Sequence, residues 1–275
     1  VSAARINDVL AMESTIKDPK HPVAIQKKDV GSLSFEGVNY RYLGAEKLAL
    51  EGISFEGRKG EVVAIVGGTG SGKTTIANLL TRFYDVESGR ITINGVDIRK
   101  MKQSKLRSFT GYAPQKALLF TGTIRENLQY GKPDATDEEM WCALEIAQAA
   151  DFISKLTNGL DSLVEQGGGN FSGGQRQRLN IARAIVSKAD IMIFDDSFSA
   201  LDFKTEVKLR KALIPEIRSS VVLIIAQRIS SVIQADTIIV FEEGKMVGKG
   251  THEELKNTNE TYQEIMRSQM KEEEM

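Results

Sequence analysis

The sequence predicts an α/β fold with a parallel sheet at its core, an N-terminal antiparallel β-lobe and a helical subdomain. Strands and helices that alternate over 173–241 indicate the parallel sheet. Alternating apolar and polar residues over 33–42, followed by a second such stretch over 48–55, indicate the antiparallel lobe. Helical patterns over 120–165 indicate the subdomain, for which we expect approximate bounds of 116–185.

The first 32 residues differ from the rest of the chain. Residues 2–16 have the apolar spacing of a short amphipathic helix. Residues 17–30 contain Pro19 and Pro22 among charged side chains, which is typical of an irregular linker. We therefore expect a connector over 1–32 and one larger domain over 33–275.

Composition excludes several classes of protein. The 275 residues contain 36 Lys plus Arg and 37 Asp plus Glu, and a net charge of -1 argues against nucleic acid as the main partner. One cysteine, Cys142, excludes an internal disulfide framework, and with only His21 and His252 a histidine-bound zinc is not expected. No apolar run reaches the roughly 18 residues of a membrane span, and no secretory signal opens the sequence. We expect this chain itself to be soluble and cytosolic.

A glycine-rich loop identifies the core as a P-loop core. Residues 67–74 fit the G-x-x-x-x-G-K-[ST] pattern, and they lie between an apolar β-branched run, 61–66, and a stretch with helical spacing, 75–80. In such a loop, backbone N–H groups surround phosphate oxygens, Lys73 neutralises the outer phosphates, and the Thr74 hydroxyl faces Mg²⁺. The nucleotide-binding residues predicted here are Gly67, Gly68, Thr69, Gly70, Ser71, Gly72, Lys73, Thr74 and Thr75.

Two further positions suit a magnesium nucleotide. The apolar run 191–194 ends in Asp195 and Asp196, as expected for a Walker B strand beside a phosphate loop, and Asp195 is then a metal ligand. The alternative is a buried strand whose acidic residues cap the next turn. Gln115 follows another predicted strand, where its amide could reach Mg²⁺ or the attacking water, although alone it would be an ordinary loop residue.

A second glycine-containing stretch also opens a helix. Phe171-Ser172-Gly173-Gly174-Gln175 precedes a periodic apolar segment, so its N–H groups lie at a positive helix end that suits a phosphate. One triphosphate rarely needs two such cradles, so we expect this stretch to serve a nucleotide held by another subunit. A simple serine N-cap is the alternative.

From about residue 33 to 270 the chain resembles the ATP-binding cassette family, particularly the nucleotide-binding domain of exporter-type transporters. The motifs that carry the resemblance follow the family's order: an A-loop aromatic, Walker A, the Q-loop, an exporter-like segment, the signature, Walker B, the D-loop and a C-terminal motif. They are Tyr42, 67–74, Gln115, 119–127, 171–175, 191–196, Ser199-Ala200-Leu201-Asp202 and 250–255.

The resemblance implies partners and a location. Two such domains meet head to tail, with each ATP between the Walker A loop of one and the signature of the other. It implies that Tyr42 stacks on adenine and that Asp202 belongs to the nucleotide site, as do Ser172, Gly173, Gly174 and Gln175. Residues 1–16 resemble the end of a transmembrane half. The expected cofactors are ATP and Mg²⁺, and the expected location is the cytoplasmic face of the cell membrane.

Three positions depart from the family pattern. The residue after the Walker B aspartate is usually a glutamate that acts as general base, and here it is Asp196. The switch histidine expected after 221–226 is replaced by Gln227, and Phe171 replaces a leucine of the signature. With Gln115, Asp196 and Gln227 form the expected catalytic set, weakened by the first two changes. The change at Phe171 leaves the phosphate-contacting part of the signature intact for the site of the partner. The resemblance then favours an ATPase that is the degenerate half of a heterodimeric exporter. A slow homodimeric ATPase and a non-hydrolysing ATP-binding regulatory module remain alternatives.

Overall fold

The computed structural model describes residues 5–7, 10–11, 14–25 and 30–273. Of the predicted helix over 2–16, residues 5–7 and 10 are helical, and several other positions lie outside the described residues. Residues 14–25 contain no helix or strand, which agrees with an irregular linker there.

The described chain contains strands and helices in alternating groups. The strands are β1 (Ser32–Tyr40), β2 (Leu50–Arg58), β3 (Val62–Gly67), β4 (Ser88–Ile93), β5 (Val96–Asp97), β6 (Thr110–Ala113), β7 (Gly122–Thr123), β8 (Leu163–Val164), β9 (Ile191–Asp195), β10 (Val221–Ala226), β11 (Thr237–Glu242) and β12 (Lys245–Gly250). The α-helices are α1 (Lys73–Leu80), α2 (Gln103–Ser108), α3 (Ile124–Gln129), α4 (Asp137–Ile146), α5 (Ala150–Ile153), α6 (Gly173–Val186), α7 (Phe203–Ile217), α8 (His252–Thr258) and α9 (Glu260–Glu273).

The central sheet brings the ends of three strands together. Its order is β12-β11-β3-β10-β9-β6, and every neighbouring pair except β11 with β12 is parallel. In the register, Val66 lies beside Ala226, and Ile225 lies beside Asp195. Because parallel strands all end at the same edge, the loop after β3 and the carboxylates after β9 share that edge. The predicted fold class is confirmed.

Both faces of this sheet are covered. Along β3, Val63 and Ile65 belong to the core on the side of β1, β2 and α1, while Ala64 and Val66 belong to the core on the side of the helices after β6. Side chains of a strand alternate between faces, so a strand buried on both sides is apolar at every position. This explains why apolar and polar residues do not alternate in the strand before the glycine-rich loop.

The antiparallel lobe is built from a longer part of the chain than the sequence predicts. Its order is β2-β1-β4-β5, so two of its strands come after the loop helix α1 and not before the core. Strand β1 pairs with both β2 and β4, with Phe35 facing Phe55 on one side and Ile91 on the other. The predicted N-terminal strands β1 and β2 are part of this lobe, and β4 and β5 extend it from beyond α1, because β1 pairs with a strand far along the chain.

Two other segments differ from the predicted helices. The stretch 120–165 contains a short antiparallel pair, β7 with β8, as well as helices. The stretch from Thr251 to about Met270 also reads as one helix in the sequence, but in the structure it is broken at Asn259, whose backbone is extended. The Asn259 amide donates to the carbonyl of Val247 at 2.8 Å, and its Oδ1 accepts from the N–H of Tyr262 at 2.8 Å. Asn259 thus starts a new helix and ties it to β12.

Helix α4 begins with an ionised carboxylate held by several donors. Thr136 and Glu139 form a capping box, and the Glu139 carboxylate also accepts from Lys132 Nζ at 2.6 Å and Lys188 Nζ at 3.0 Å. Hydrogen bonds from Lys132, Lys188 and Thr136 lower the pKa of Glu139 to about 2. This carboxylate links the start of α4 to the end of α6.

Glu139→Gln is expected to lower the melting temperature at pH 7 and to have little effect near pH 2. A carboxyl group with a depressed pKa stabilises the fold fully above its unfolded pKa, about 4.5, and loses that contribution as the pH falls through about 2. Calorimetry between pH 2 and 7 measures this, with Glu138→Gln on the same exposed helix turn as control. An equal loss at every pH would contradict the assignment.

Within the described part of the chain, no helix is both long and apolar enough to cross a membrane.

Candidate nucleotide-binding site

A cleft of about 320 Å³ lies at the edge where β3, β9 and β10 end. It brings together residues that lie far apart in the sequence: an aromatic residue, a glycine-rich loop, two carboxylates and two glutamines. The lining residues are Tyr42, Ala49, Thr69, Gly70, Gly72, Lys73, Thr74, Thr75, Gln115, Asp195, Asp196, Ile225 and Gln227.

The glycine-rich loop needs glycine at two positions, because a Cβ at either one would lie too close to a backbone carbonyl oxygen. A Cβ at Gly67 would lie 2.3 Å from the carbonyl oxygen of Phe241 on the neighbouring strand. Gly72 has a φ of 98°, and a Cβ there would lie 2.7 Å from the carbonyl oxygen of Ala49. Gly72 is also the N-cap of α1, so the start of this helix and its N–H groups face the cleft.

Lys73 lies at the bottom of the loop and is 7% exposed. Its Nζ donates to the carbonyl oxygens of Gly67 at 2.9 Å and Gly68 at 2.7 Å. Burial lowers the pKa of Lys73, while the charges of Asp196 and Asp195 act in the opposite direction. The cleft therefore holds one buried cation against two carboxylates.

The Asp195 side chain lies between two hydroxyl groups. Thr74 Oγ1 donates to Asp195 Oδ1 at 3.1 Å, and the Tyr112 hydroxyl donates to Oδ2 at 3.2 Å. Burial raises the pKa of Asp195, and these two hydrogen bonds oppose the shift. A hydroxyl and a carboxylate oxygen beside a phosphate loop are the hard ligands that Mg²⁺ takes, with nucleotide phosphates and water completing its shell. The donor set of Thr74 and Asp195 thus fits the predicted magnesium.

Asp196 is held in a fixed orientation. Its φ is 45°, and its N–H donates to the carbonyl of Ile225 at 2.7 Å. Its Oδ2 accepts from Gln115 Nε2 at 3.1 Å and from Gln227 Nε2 at 3.3 Å. The three residues of the expected catalytic set therefore meet at one carboxylate oxygen.

Tyr42 also lines the cleft. Its hydroxyl is 2.9 Å from Thr75 Oγ1, and its ring meets those of Tyr40 and Tyr84 edge to face, at centroid distances of 5.0 and 5.6 Å. An aromatic face anchored in this way suits the stacking of a planar base.

The second glycine-containing stretch is not part of this cleft. None of the described residues that line the cleft comes from 171–175, and Asp202 does not line it either. Ser172 is the N-cap of α6 and forms a capping box with Gln175. Asp202 Oδ1 accepts from the N–H of Thr205 at the start of α7. Each of these residues has a capping role, and Gly173 and Gly174 leave the start of α6 without bulky side chains.

Comparison with known proteins identifies this arrangement. A family model described as ABC transporter matches residues 50–199, more than half of the chain. The chain belongs to the ABC transporter family. Among its relatives, an uncharacterized ABC transporter ATP-binding protein of Mycobacterium tuberculosis is 43% identical over 272 residues, which are 98% of this chain and 46% of that protein.

Other comparisons agree with this assignment. A probable multidrug resistance ABC transporter ATP-binding/permease protein of Bacillus subtilis is 41% identical over 263 residues, 96% of this chain and 45% of that protein. A solved structure of a bacterial Atm1-family ABC exporter with ATP bound has a TM-score of 0.91 and 36% identity, and covers 97% of this chain and 46% of that chain. The chain spans about half the length of these relatives, and it contains the ATP-binding domain of an ABC transporter.

Sequence reasoning missed Ala49 and Ile225, which line the cleft, and it missed Tyr112 beside this ABC transporter site. Tyr112 donates to Asp195, yet it lies on β6 among apolar residues and belongs to none of the motifs used above. Its position three residues before Gln115 was the available signal, because β6 and β9 are parallel neighbours in the sheet.

Proposed function

We propose that this chain is the Mg-ATP-binding and ATP-hydrolysing motor domain of an ABC exporter whose own catalytic site is weakened. In this proposal ATP binding closes the domain against a second nucleotide-binding domain, and hydrolysis reopens it. Attached transmembrane domains would follow this motion at the cytoplasmic face of the membrane. The similarity to an exporter structure with ATP bound and to a protein named ATP-binding/permease supports the exporter assignment.

Each predicted residue has a role in this proposal. Tyr42 stacks on the base, while the loop amides and Lys73 hold the phosphates. Thr74, Asp195 and the Gln115 amide hold Mg²⁺, which neutralises phosphate charge when bound. Ser172 to Gln175 and Asp202, which lie outside the cleft, complete the site of the partner domain.

The proposal of a weakened catalytic site rests on the arrangement of side chains at Asp196. The family usually has glutamate here, and aspartate is one methylene shorter, which removes roughly 1.5 Å of reach. The backbone hydrogen bond to Ile225 fixes the starting point of the side chain, and both amides draw the same oxygen towards them. Gln227 can donate a hydrogen bond to a terminal phosphate, but it cannot take up a proton as histidine can.

The double replacement Asp196→Glu with Gln227→His is expected to raise ATP turnover at least tenfold, because a misplacement of about 1 Å can cost around a hundredfold in rate. Steady-state phosphate release measures this, for the chain alone and mixed with its partner domain. The same double variant carrying Lys73→Met should be inactive, which excludes a contaminating ATPase.

Two outcomes would change the proposal. If the unaltered chain alone turns over roughly several ATP per second or more, the site is not weakened and a homodimer of equivalent sites is favoured. If the double variant, with its partner, still hydrolyses nothing while ATP remains bound after purification, the chain is an ATP-binding regulatory module.

A further inference from the structure

The segment after β10 carries Gln227 and is held by one side chain of the C-terminal helix. The Oε1 atom of Gln269 accepts from the N–H of Ile229 at 2.9 Å. Its Nε2 donates to the carbonyl oxygen of Gln227 at 2.8 Å. One amide thus binds a backbone acceptor and a backbone donor that are two residues apart, just beyond the last strand residue, Ala226.

The Gln269 side chain projects from the buried face of helix α9. Tyr262 is fully buried, and its hydroxyl lies 2.8 Å from His252 Nδ1. Ile265 and Met266 pack against the larger hydrophobic core. Residues 262, 265, 266 and 269 lie on one face at helical spacing, so Gln269 continues the face that docks the helix. The position of the amide is therefore set by packing.

The other end of the same segment is held from helix α7. Arg210 donates to the carbonyl of Ser230 at 2.7 Å, and the Ser231 hydroxyl donates to the buried carboxylate of Glu206 at 2.6 Å. Residues 230–231 thus keep their anchors when Gln269 is changed. In the described part of the chain, the hydrogen bonds from Gln269 of the C-terminal helix go to Gln227 and Ile229, at the start of the segment.

We propose that Gln269 is a positioning residue that orients Gln227 towards the terminal phosphate of ATP. This inference rests on the role proposed for Gln227. The Gln227 side chain reaches Asp196 Oδ2 at 3.3 Å, and its direction depends on where the backbone leaves β10. Gln269 binds the backbone carbonyl of Gln227 directly. A change in the position of α9 therefore changes the direction of the Gln227 side chain. The C-terminal helix is in this way coupled to the nucleotide site.

Gln269→Met tests this, because methionine keeps the length and packing of the side chain and removes both hydrogen bonds. Calorimetric titration of the purified chain with ADP and with the β,γ-imido analogue of ATP measures the two affinities. We expect affinity for the analogue to fall about fivefold and affinity for ADP to stay unchanged, since only the terminal phosphate meets Gln227.

The matched control is Gln263→Met. Gln263 lies on the same helix, and its amide donates to the carbonyl of Lys256 at 2.9 Å, within the C-terminal region. This variant should bind both nucleotides as the parent does. In a Gln227→Ala background, Gln269→Met should cause no further loss, because the side chain that it positions is gone.

Three results would overturn the inference and can be told apart. If Gln227→Ala weakens binding of the ATP analogue and Gln269→Met does not, Gln269 has no positioning role, while the proposed function stands. If Gln227→Ala changes neither affinity, the proposed role of Gln227 is wrong and the role of Gln269 fails with it. An equal loss for ADP and the analogue would indicate a general structural role and would also overturn the inference.

Discussion

Lys73→Met is expected to lower the affinity for ATP at least a hundredfold. Lys73 is 7% exposed, and its ammonium group is expected to contact the outer phosphates of a bound nucleotide. Hydrogen bonds to a charged group contribute about 3 kcal/mol at the upper end, which corresponds to roughly a hundredfold in affinity. Without the lysine, one positive charge fewer offsets Asp195 and Asp196 beside the triphosphate, so repulsion adds to the loss.

Calorimetric titration with Mg-ATP measures this loss, and the methionine keeps the aliphatic part of the buried side chain in place. Lys59→Met, at the exposed turn between β2 and β3, removes the same charge at the opposite end of β3 from the loop and is expected to leave the affinity unchanged. If the affinity of Lys73→Met lay within about threefold of the parent, the phosphate-binding role of Lys73 would be wrong.

The convergence of the site could be predicted from the sequence because each motif directly follows a strand. Lys73 follows β3, Asp195 ends β9 and Gln227 follows β10. Parallel strands end at a common edge, so a strand assignment is enough to bring such residues together. The sequence could not predict which atoms meet, because the orientation of Asp196 depends on its positive φ and on its bond to Ile225.

Contacts between elements that lie far apart in the chain could not be predicted from the sequence, for a different reason. The pairing of β1 with β4 and the bonds of Gln269 to the segment after β10 depend on how whole elements pack. A glutamine near the end of an amphipathic helix has no pattern that marks it as part of a nucleotide site. The role of Asn259 was easier to predict from the sequence, because an asparagine ahead of a helical stretch is a common N-cap.

Gly67→Ala is expected to lower the free energy of unfolding by about 3 kcal/mol, the upper end for overpacking in a dense interior. Gly67 is the last residue of β3 and pairs with Phe241 of β11. A Cβ at this position would lie 2.3 Å from the Phe241 carbonyl oxygen and 2.8 Å from Ser71 Oγ. The first of these atoms is backbone, so relief requires β11 to move away from β3, or the loop to turn away from the cleft.

Gly68→Ala is the matched control, because the same methyl group on the next loop residue would meet no atom within 4 Å. Thermal unfolding should show a decrease in melting temperature of roughly 5 to 10 °C for Gly67→Ala and almost none for Gly68→Ala. Gly67→Ala should also lose ATP affinity, since the Gly67 carbonyl that would shift is one that Lys73 holds at 2.9 Å. Equal stability of the two variants would mean that β11 can move away from β3 at little cost in free energy. Close packing against β11 would then not be the reason for glycine at position 67.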